Sequence, residues 1–279
     1  MKRLQTVVVL GNAQSEFLQQ RLSHHLRELA DVTKAELVSS AHVVVTSCAT
    51  EEELSELVLG PRGLLTEDRT GLVYVDVSWI GEALSLEIAK AANATGALYL
   101  RAPITHGPAE TSQETVSTAI VSGSHSAFEA AQIVLEGLAE KIVYLGEGEE
   151  ARAMTGVLDV MTGVTLGMWA EALVFGEAAG LDWSDMVQVM ETSAIASPLL
   201  KDHAVRVSQF DYESSLTCGV IGERLEAVLA RGKSKGVVLT LTGLVHQMFV
   251  GALGSGAMVS GATAVIPWLE AAAGMQPAS

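Results

Sequence analysis

The segment Val7–Glu16 constrains the fold most, because a buried-strand pattern leads directly into the first glycine of a dinucleotide-binding loop. A Gly-x-Gly-x-x-Gly loop needs its second glycine so that the backbone can approach a pyrophosphate, and its third for close packing of helix on strand. Gly11 is present, but Ala13 and Glu16 occupy the other two places. The carboxylate of Glu16 takes the place of a phosphate's negative charge. The segment therefore predicts a nucleotide-binding architecture in which Gly11 is the remnant of a cofactor loop that no longer functions.

Composition narrows the class of protein. The 279 residues are 49% hydrophobic and carry a formal charge of −16, which argues against binding to nucleic acid or to an anionic membrane surface. The two cysteines, Cys48 and Cys218, have no metal-binding or disulfide spacing, so a reducing cytoplasm is expected. The apolar run Val157–Val174 contains Asp159 and Glu171, and we interpret it as a buried helix rather than a membrane span.

Two kinds of pattern divide the chain. Short apolar, β-branched runs predict strands at Leu4–Leu10, His42–Thr46, Gly71–Val77, Ala97–Leu100, Ser117–Val121 and Lys141–Leu145. Helical patterns follow from Ala151 to about Gly180, then near Trp183–Ser193, Pro198–Ser208, Gly222–Gly232, Leu239–Gly251 and Ala262–Ala273. We therefore predict an α/β fold class with a truncated Rossmann-like, dinucleotide-binding-type domain over 1–148, a long interdomain helix and an all-α domain for dimerisation and substrate over 149–279.

Several short motifs follow one another in a recognisable order. They are Asp76-Val77-Ser78-Trp79-Ile80, Tyr99-Leu100-Arg101-Ala102-Pro103-Ile104-Thr105-His106-Gly107, Ile120-Val121-Ser122-Gly123, Tyr144-Leu145-Gly146-Glu147-Gly148, and Ala170-Glu171-Ala172-Leu173 with Gly180-Leu181. Their order and spacing resemble the β-hydroxyacid dehydrogenase superfamily, which includes 3-hydroxyisobutyrate dehydrogenases and imine reductases. The resemblance implies a small-molecule substrate in a cleft between the domains and a homodimer formed through the long central helix.

The departures from this resemblance fall on the chemistry. The family's catalytic lysine is matched by Arg152 and a following asparagine by Thr155, and arginine cannot donate a proton near neutral pH. One glycine of the family's substrate loop is replaced by His106. A Lys-Asp pair on a later helix is matched by Glu223-Arg224, with the signs reversed.

The length of the first domain indicates a further loss. Only 31 positions separate Gly11 from His42, fewer than the family's pattern needs. The helix Ser15–Leu29 passes almost directly into Val32-Thr33-Lys34, so we expect the second strand, which carries the group that reads the adenosine ribose, to be absent.

Four residues are the candidates for catalysis: His106, Arg152, Asp159 and Thr155. His106 is either a proton-transfer group or a loop histidine bonded to backbone. Arg152 either clamps an anionic group or pairs with Glu149 or Asp159. Arg152, Thr155 and Asp159 share one helix face, and Asp159 is either a general acid or, as we favour, a partner of Arg152.

The candidates for substrate binding are weaker. Thr105 and Ser78 come from the family motifs, and Trp79 stands where a small residue is usual, so its bulk fills cofactor space. His246 and Met248 lie on a helix that we expect to face the cleft. Adjacent pairs such as His24-His25 point in different directions on a helix, so no metal site is predicted.

Three hypotheses follow for the function. The first, which the losses favour, is a small-molecule enzyme with no cofactor that performs acid-base chemistry, namely isomerisation, cyclisation, dehydration or hydrolysis. The second is an NAD(P)H-dependent reductase of a carbonyl or an imine. The third is a catalytically inactive binding or scaffold homologue.

Overall fold

The computed structural model describes residues 7–11, 22, 29–31, 41–106, 116–214, 216–257 and 260–276. At residues 29–31, 106, 202 and 205 it describes the backbone but not the side chain. The chain divides into two compact units. The first takes the described residues up to Thr155, and the second takes those from Gly156 onward.

The first unit is built on a mixed sheet of eight strands. They are β1 (Val7–Leu10), β2 (Leu29–Asp31), β3 (Val43–Thr46), β4 (Val73–Asp76), β5 (Leu98–Arg101), β6 (Ile104–His106), β7 (Ser117–Gly123) and β8 (Lys141–Gly146). The order is β2-β1-β3-β4-β5-β7-β6, with β8 beside β7. Strands β1 to β5 are parallel, whereas β7 runs antiparallel to β5 and β6. The carboxyl ends of β1 to β5 therefore meet at one edge of the sheet.

Both faces of this sheet are covered, which explains its valine-rich strands. The helices of this unit, in chain order, are α1 (Glu51–Leu59), α2 (Glu82–Thr95) and α3 (His125–Leu138). On one face of the sheet, Val43 and Val45 pack against α3. Val44 faces the opposite side, where α1 and α2 contribute Leu54, Val58, Leu84 and Ile88. Alternate residues of one strand thus enter two different cores.

The second unit is helical. Its elements are α4 (Glu150–Ala178), of which the first turn belongs to the first unit, α5 (Trp183–Thr192), α6 (Pro198–Ser208), α7 (Cys218–Ser234), α8 (Thr240–Gly254), a 3-10 turn (Ala262–Ala264) and α9 (Val265–Ala272). By length and composition α4 could cross a membrane, but Leu166, Trp169 and Leu173 lie in the core of this unit. We therefore describe α4 as a core helix.

The predicted fold class is confirmed, and the strands predicted from Val7 onward and the helices predicted after Gly148 are found in the described residues. The predicted helix Ser15–Leu29 lies almost wholly outside the described residues, and Leu29 itself begins β2. One part of the prediction is wrong. A second strand, β2, pairs in parallel with β1 through Val7 and Leu29, Val8 and Ala30, and Val9 and Asp31. Its three residues are not β-branched and show no strand pattern, so their conformation depends on pairing with β1. Ala13, Glu16 and Val32-Thr33-Lys34, which also carried the prediction, lie outside the described residues.

Strand β6 was also not predicted. It follows Pro103 and pairs with β7, Ile104 opposite Ala119 and His106 opposite Ser117. Pro103 lies between β5 and β6 and interrupts the apolar run, so the short strand after it has no alternating pattern of its own.

Gly11 provides a test of the turn that ends β1. Its φ is +111°, and a Cβ there would lie 2.1 Å from the carbonyl oxygen of Ser47. Gly71 also has a positive φ, +90°, but a Cβ would meet nothing within 4 Å. We expect Gly71→Ala to lower the free energy of unfolding by about 1 kcal/mol, the cost of left-handed backbone. Gly11→Ala adds a clash with backbone and should cost clearly more in urea unfolding. Equal losses for the two variants would contradict this account of Gly11.

Candidate functional site

A network of buried polar side chains at the carboxyl ends of β3, β4 and β5 is centred on Asp76, which is fully buried. Its Oδ1 accepts hydrogen bonds from the Thr46 hydroxyl at 3.0 Å and from the backbone N–H of Ser78 at 3.0 Å. The Thr46 hydroxyl lies 2.9 Å from that of Tyr74. A buried carboxylate of this kind needs a cation, because an unpaired charge in the interior is strongly unfavourable.

Arg152 supplies that cation. Its Nη2 lies 2.5 Å from Oδ2 of Asp76, and its Nη1 donates to the carbonyl oxygen of Ser78 at 2.6 Å. Burial by itself would lower the pKa of the guanidinium, but the opposite charge of Asp76, with Tyr99 and Glu149, outweighs burial and raises it. Arg152 therefore stays charged, and its two terminal nitrogens bind the protein's own oxygens rather than a ligand, while Nε is buried without a hydrogen-bond partner among the described residues.

A second buried ion pair lies beside the first. Nη2 of Arg101 donates to Oε1 of Glu149, and its Nε donates to the hydroxyl of Ser85 at 3.0 Å. The guanidinium carbon of Arg101 is 4.6 Å from the centre of the Tyr99 ring. The Tyr99 hydroxyl lies 3.5 Å from both Asp76 Oδ2 and Arg152 Nη2, and burial, then the charge of Asp76, raises its pKa. Tyr99 thus separates two arginines that each have a carboxylate partner.

Ser78 and its neighbours form the turn after β4. Ser78 is buried, and its hydroxyl accepts a hydrogen bond from the backbone N–H of Cys48 at 3.0 Å. Trp79 is half-buried. Burial raises the pKa of the Cys48 thiol to about 12, with a further contribution from the charges of Asp76 and Glu53. The predicted substrate-binding serine is thus part of the structural connection between β3 and β4.

The predicted pairing of Arg152 with Asp159 is wrong. Asp159, in the second unit, lies 3.6 Å from Nη1 of Arg224, and Arg152 takes Asp76 instead. Burial lowers the pKa of Arg224, while Asp159 opposes that shift. Thr155, also buried, donates to the carbonyl oxygen of Arg152 at 2.9 Å, which is a bond within the helix. A shared helix face did not predict these pairs, because both partners come from elements distant in sequence.

The remaining predicted site residues are not brought together by these contacts. Thr105 and His106 lie in β6, opposite Thr118 and Ser117, and for His106 this is a statement about backbone. His246 and Met248 are half-buried on α8, and Met248 packs against the core of the second unit. Across the described parts of the chain, no three His, Cys, Asp or Glu side chains are grouped so that they could hold a metal ion.

The opposite end of the same sheet edge has two features that dinucleotide-binding folds also have. Gly11 ends β1 in a conformation that excludes a side chain, so backbone alone occupies the space next to Ser47. Strand β2 lies beside β1 and ends at Asp31, which is 20 residues after Gly11. An acidic residue about 20 positions after the first glycine is the one that reads the ribose hydroxyl in Rossmann folds. The turn at Gly11 and the place of Asp31 in the sequence are therefore compatible with the adenosine half of a nicotinamide cofactor.

The comparisons with known proteins agree with that placement. Residues 2–146 match the family model of the NAD binding domain of 6-phosphogluconate dehydrogenase, and residues 146–269 match the NAD-binding model of NADP-dependent 3-hydroxyisobutyrate dehydrogenase. The chain belongs to the β-hydroxyacid dehydrogenase superfamily.

Similar proteins include enzymes and a nuclear protein. The 2-(hydroxymethyl)glutarate dehydrogenase of Eubacterium barkeri is 26% identical over 86% of this chain and 79% of its own length. The cytokine-like nuclear factor N-PAC of Aedes aegypti is 28% identical over 68% of this chain, which spans only 34% of that protein. Another relative, from Arabidopsis thaliana, is chloroplastic, so the cytoplasmic location of this chain stays a prediction.

Solved structures share the fold at low identity. A 3-hydroxyisobutyrate dehydrogenase from Salmonella typhimurium superposes with a TM-score of 0.81 at 20% identity, over 94% of this chain and 99% of that one. Psf3, solved with NADP+ and 2-OPP, has a TM-score of 0.77 at 20% identity, over 95% and 99% of the two chains.

These matches correct the expectation that no cofactor binds. Both halves of the chain match models named for NAD binding, and structural neighbours contain NADP+ or NAD+. The preference for acid-base chemistry without a cofactor has no support among these proteins. The two missing glycines therefore do not exclude a cofactor, and a second strand, β2, does lie beside β1.

Sequence reasoning missed Asp76 and Tyr99, and it considered Glu149 as a partner of Arg152, whereas Glu149 pairs with Arg101. One signal was available, because Asp76 ends a buried strand and arginines occupy two motif positions where the family has other residues. Carboxylates are almost never buried without a partner, so two unusual arginines indicate two buried acids.

The Asp76–Arg152 pair can be tested by removing each side. We expect Arg152→Met or Asp76→Asn to lower the free energy of unfolding by about 3–5 kcal/mol, since either change leaves a buried charge without its partner. The double variant should lose much less than the sum of the two, as measured by urea unfolding. Glu129→Gln, which removes one side of the exposed pair with His125 in the same unit, is the control and should change stability by less than about 1 kcal/mol. Additive losses in the double variant would contradict the pair.

Proposed function

We propose that this protein is a nicotinamide-dependent oxidoreductase that reduces the C=O or C=N bond of a small substrate. The observation that carries this proposal is β2, which lies beside β1 and ends at Asp31. The two NAD-binding family models support it, as do the NADP+ named with Psf3 and the NAD+ named with an imine reductase variant from Myxococcus stipitatus.

The position of Asp31 also favours one form of the cofactor. A carboxylate at the end of β2 accepts hydrogen bonds from the two ribose hydroxyls of NADH. The same carboxylate repels the 2′-phosphate of NADPH. We therefore propose that NADH is the preferred cofactor.

The bound cofactor would supply the hydride, and residues of the chain would supply the proton and position the reacting groups. Arg152 cannot give the proton that completes the reduction, because its pKa is raised and its nitrogens hold Asp76 and Ser78. In this proposal Arg152 is a positioning residue that holds the turn at Ser78 and Trp79. His106 remains the proposed proton donor, since an imidazole exchanges protons near neutral pH.

The buried ion pairs also favour one class of substrate. Hydroxy acids carry a carboxylate, which binding sites usually hold with a cation. Arg101 and Arg152 stand at two motif positions, and Glu149 and Asp76 already neutralise them. A ketone or an imine without a carboxylate therefore suits this site better than a hydroxy acid.

Cofactor binding can be measured before any substrate is known. We expect NADH to raise the free energy of unfolding by about 2.7 kcal/mol when its concentration is 100 times the dissociation constant, which a thermal shift detects. NADPH at the same concentration should give a smaller shift. Asp31→Ala should weaken NADH binding about tenfold, through the loss of charge-assisted hydrogen bonds. Glu87→Ala removes the same charge from an exposed site on α2 and should leave binding unchanged.

Two outcomes of that experiment would overturn parts of the proposal. No stabilisation by millimolar NADH or NADPH would remove the oxidoreductase assignment. His106→Gln should bind NADH as the wild type does but reduce a small cyclic imine or ketone at least tenfold more slowly. NADH binding by the wild type with no reduction across a panel of imines and ketones would favour an inactive binding homologue.

We also propose that the protein is a homodimer formed through α4. Four of its apolar residues are exposed and recur on one face of the helix: Val157, Met161, Met168 and Phe175. Gly167 packs against Val245, so α8 runs alongside and adds Leu241 and Leu244, which are also exposed. Exposed apolar side chains that lie together on one helix face in this way are typical of a subunit interface.

The dimer is tested by placing charge on that surface. We expect the wild type to sediment at about twice its chain mass of 29.3 kDa, and the double variant Met161→Glu/Phe175→Glu to sediment as a monomer. Val189→Glu places the same charge on α5, at a valine that is about as exposed as Met161, and should leave the dimer intact. A monomeric wild type would disprove the proposal.

A further inference from the structure

A cavity of about 590 Å³, wide open to solvent, lies within the second unit, between the loop that follows α6, the end of α8 and α9. Phe210, Tyr212 and Trp268 line it, and so do the acids Asp211 and Glu213. A volume of this size is typical of a site for a small organic ligand. The residue types at its surface therefore indicate what that ligand is.

The aromatic part of the wall is built into the fold. Phe210 has a φ of +55°, a left-handed conformation that is strained for a residue with a bulky side chain. Its ring meets that of the buried Trp183 edge-on, with the centres 5.6 Å apart. Trp268 needs the absence of a side chain at Gly251, because a Cβ there would lie 2.2 Å from the indole. Strain at Phe210 and a glycine under Trp268 thus place aromatic rings at the cavity.

The charged residues that line the cavity are both negative. Asp211 and Glu213 are exposed, and Arg206, which is not among the lining residues, lies behind them. Nη1 of Arg206 is 3.6 Å from Oδ2 of Asp211 but donates to the backbone carbonyl of Glu213, at 2.6 Å, rather than to its carboxylate. The Glu213 carboxylate therefore keeps its negative charge at the rim.

Two further carboxylates act on Tyr212, although they are not among the residues that line the cavity. Burial raises the pKa of the Tyr212 phenol, and the charges of Glu270 and Glu177 raise it further. The Tyr212 hydroxyl is buried and has no hydrogen-bond partner among the described residues. The phenol stays neutral, so its ring keeps the π face that attracts a cation, while the nearby acids add negative potential.

We propose that this cavity binds an organic ammonium cation. Aromatic faces attract quaternary and alkylated ammonium groups. Carboxylates at the rim add electrostatic attraction for the same positive charge. A metal ion would instead need several oxygen ligands grouped around one point. The formal charge of −16 on the chain raises the local concentration of any cation. The residues that line the cavity belong to the second unit, and those proposed to bind the nicotinamide cofactor belong to the first.

The test compares two probes of the same shape in calorimetric titrations of the full chain at one ionic strength. Choline carries a quaternary ammonium, and 3,3-dimethylbutan-1-ol has a carbon in place of its nitrogen. We expect choline to bind at least tenfold more tightly than the alcohol. Equal affinity for the two probes, or no binding of choline at millimolar concentration, would overturn the proposal.

Variants then locate the site. Glu213→Gln removes an exposed charge at the rim and should weaken choline binding about fivefold without unfolding the protein, whereas Glu226→Gln on the exposed side of α7 should not change it. Trp268→Leu should abolish the preference for choline over the alcohol. Choline binding that is unaffected by both Glu213→Gln and Trp268→Leu would show that the cation binds elsewhere and would disprove this assignment.

Discussion

The buried pair of Asp76 and Arg152 is the interaction on which the first unit depends. Asp76 ends a central strand, and its two oxygens connect to β3 through Thr46, to the following turn through Ser78, and to the first turn of α4 through Arg152. Its charge would be very costly in the interior without a cation, so the sequence must supply one. The guanidinium also bonds to the Ser78 carbonyl, which a lysine ammonium, as a single point charge, is less suited to do at the same time.

The position that carries the family's chemistry is thus used for structure in this chain. The resemblance marks Arg152 as the counterpart of a lysine that handles protons, but a buried arginine paired with aspartate neither gains nor loses one. Hydride transfer does not by itself require that lysine. Under the proposed function, the sheet edge at Gly11 and β2 and the altered position at Arg152 are therefore compatible, because different residues would hold the cofactor and supply the proton.

Local patterns in the sequence predicted most of the fold. Strands such as Val43–Thr46 and helices such as Pro198–Ser208 follow from the spacing of apolar residues and from caps like Ser197, all of which are readable over a few positions. Strand β2 was missed because Leu29, Ala30 and Asp31 form a strand only through pairing with β1. The partners of Arg152 and Asp159 were missed for the same reason, since a partner 76 residues away leaves no periodic signal. The prediction that no cofactor binds lost one of its supports with β2, because it rested on the absence of that strand together with the degenerate loop at Gly11 and the residues Arg152 and Trp79.

Cys48 and Cys218 are the two cysteines of the chain. Burial raises the pKa of Cys48 to about 12 and that of Cys218 to about 11, and the thiol of Cys218 also donates to the carbonyl of Gly261. Because the thiolate is the reactive form, the native protein has almost no reactive sulfur at neutral pH. A single cysteine introduced on the surface is therefore addressable by maleimide reagents without replacing either native residue. Two such cysteines introduced in one unit can then carry a pair of fluorophores or spin labels that follows motion within that unit.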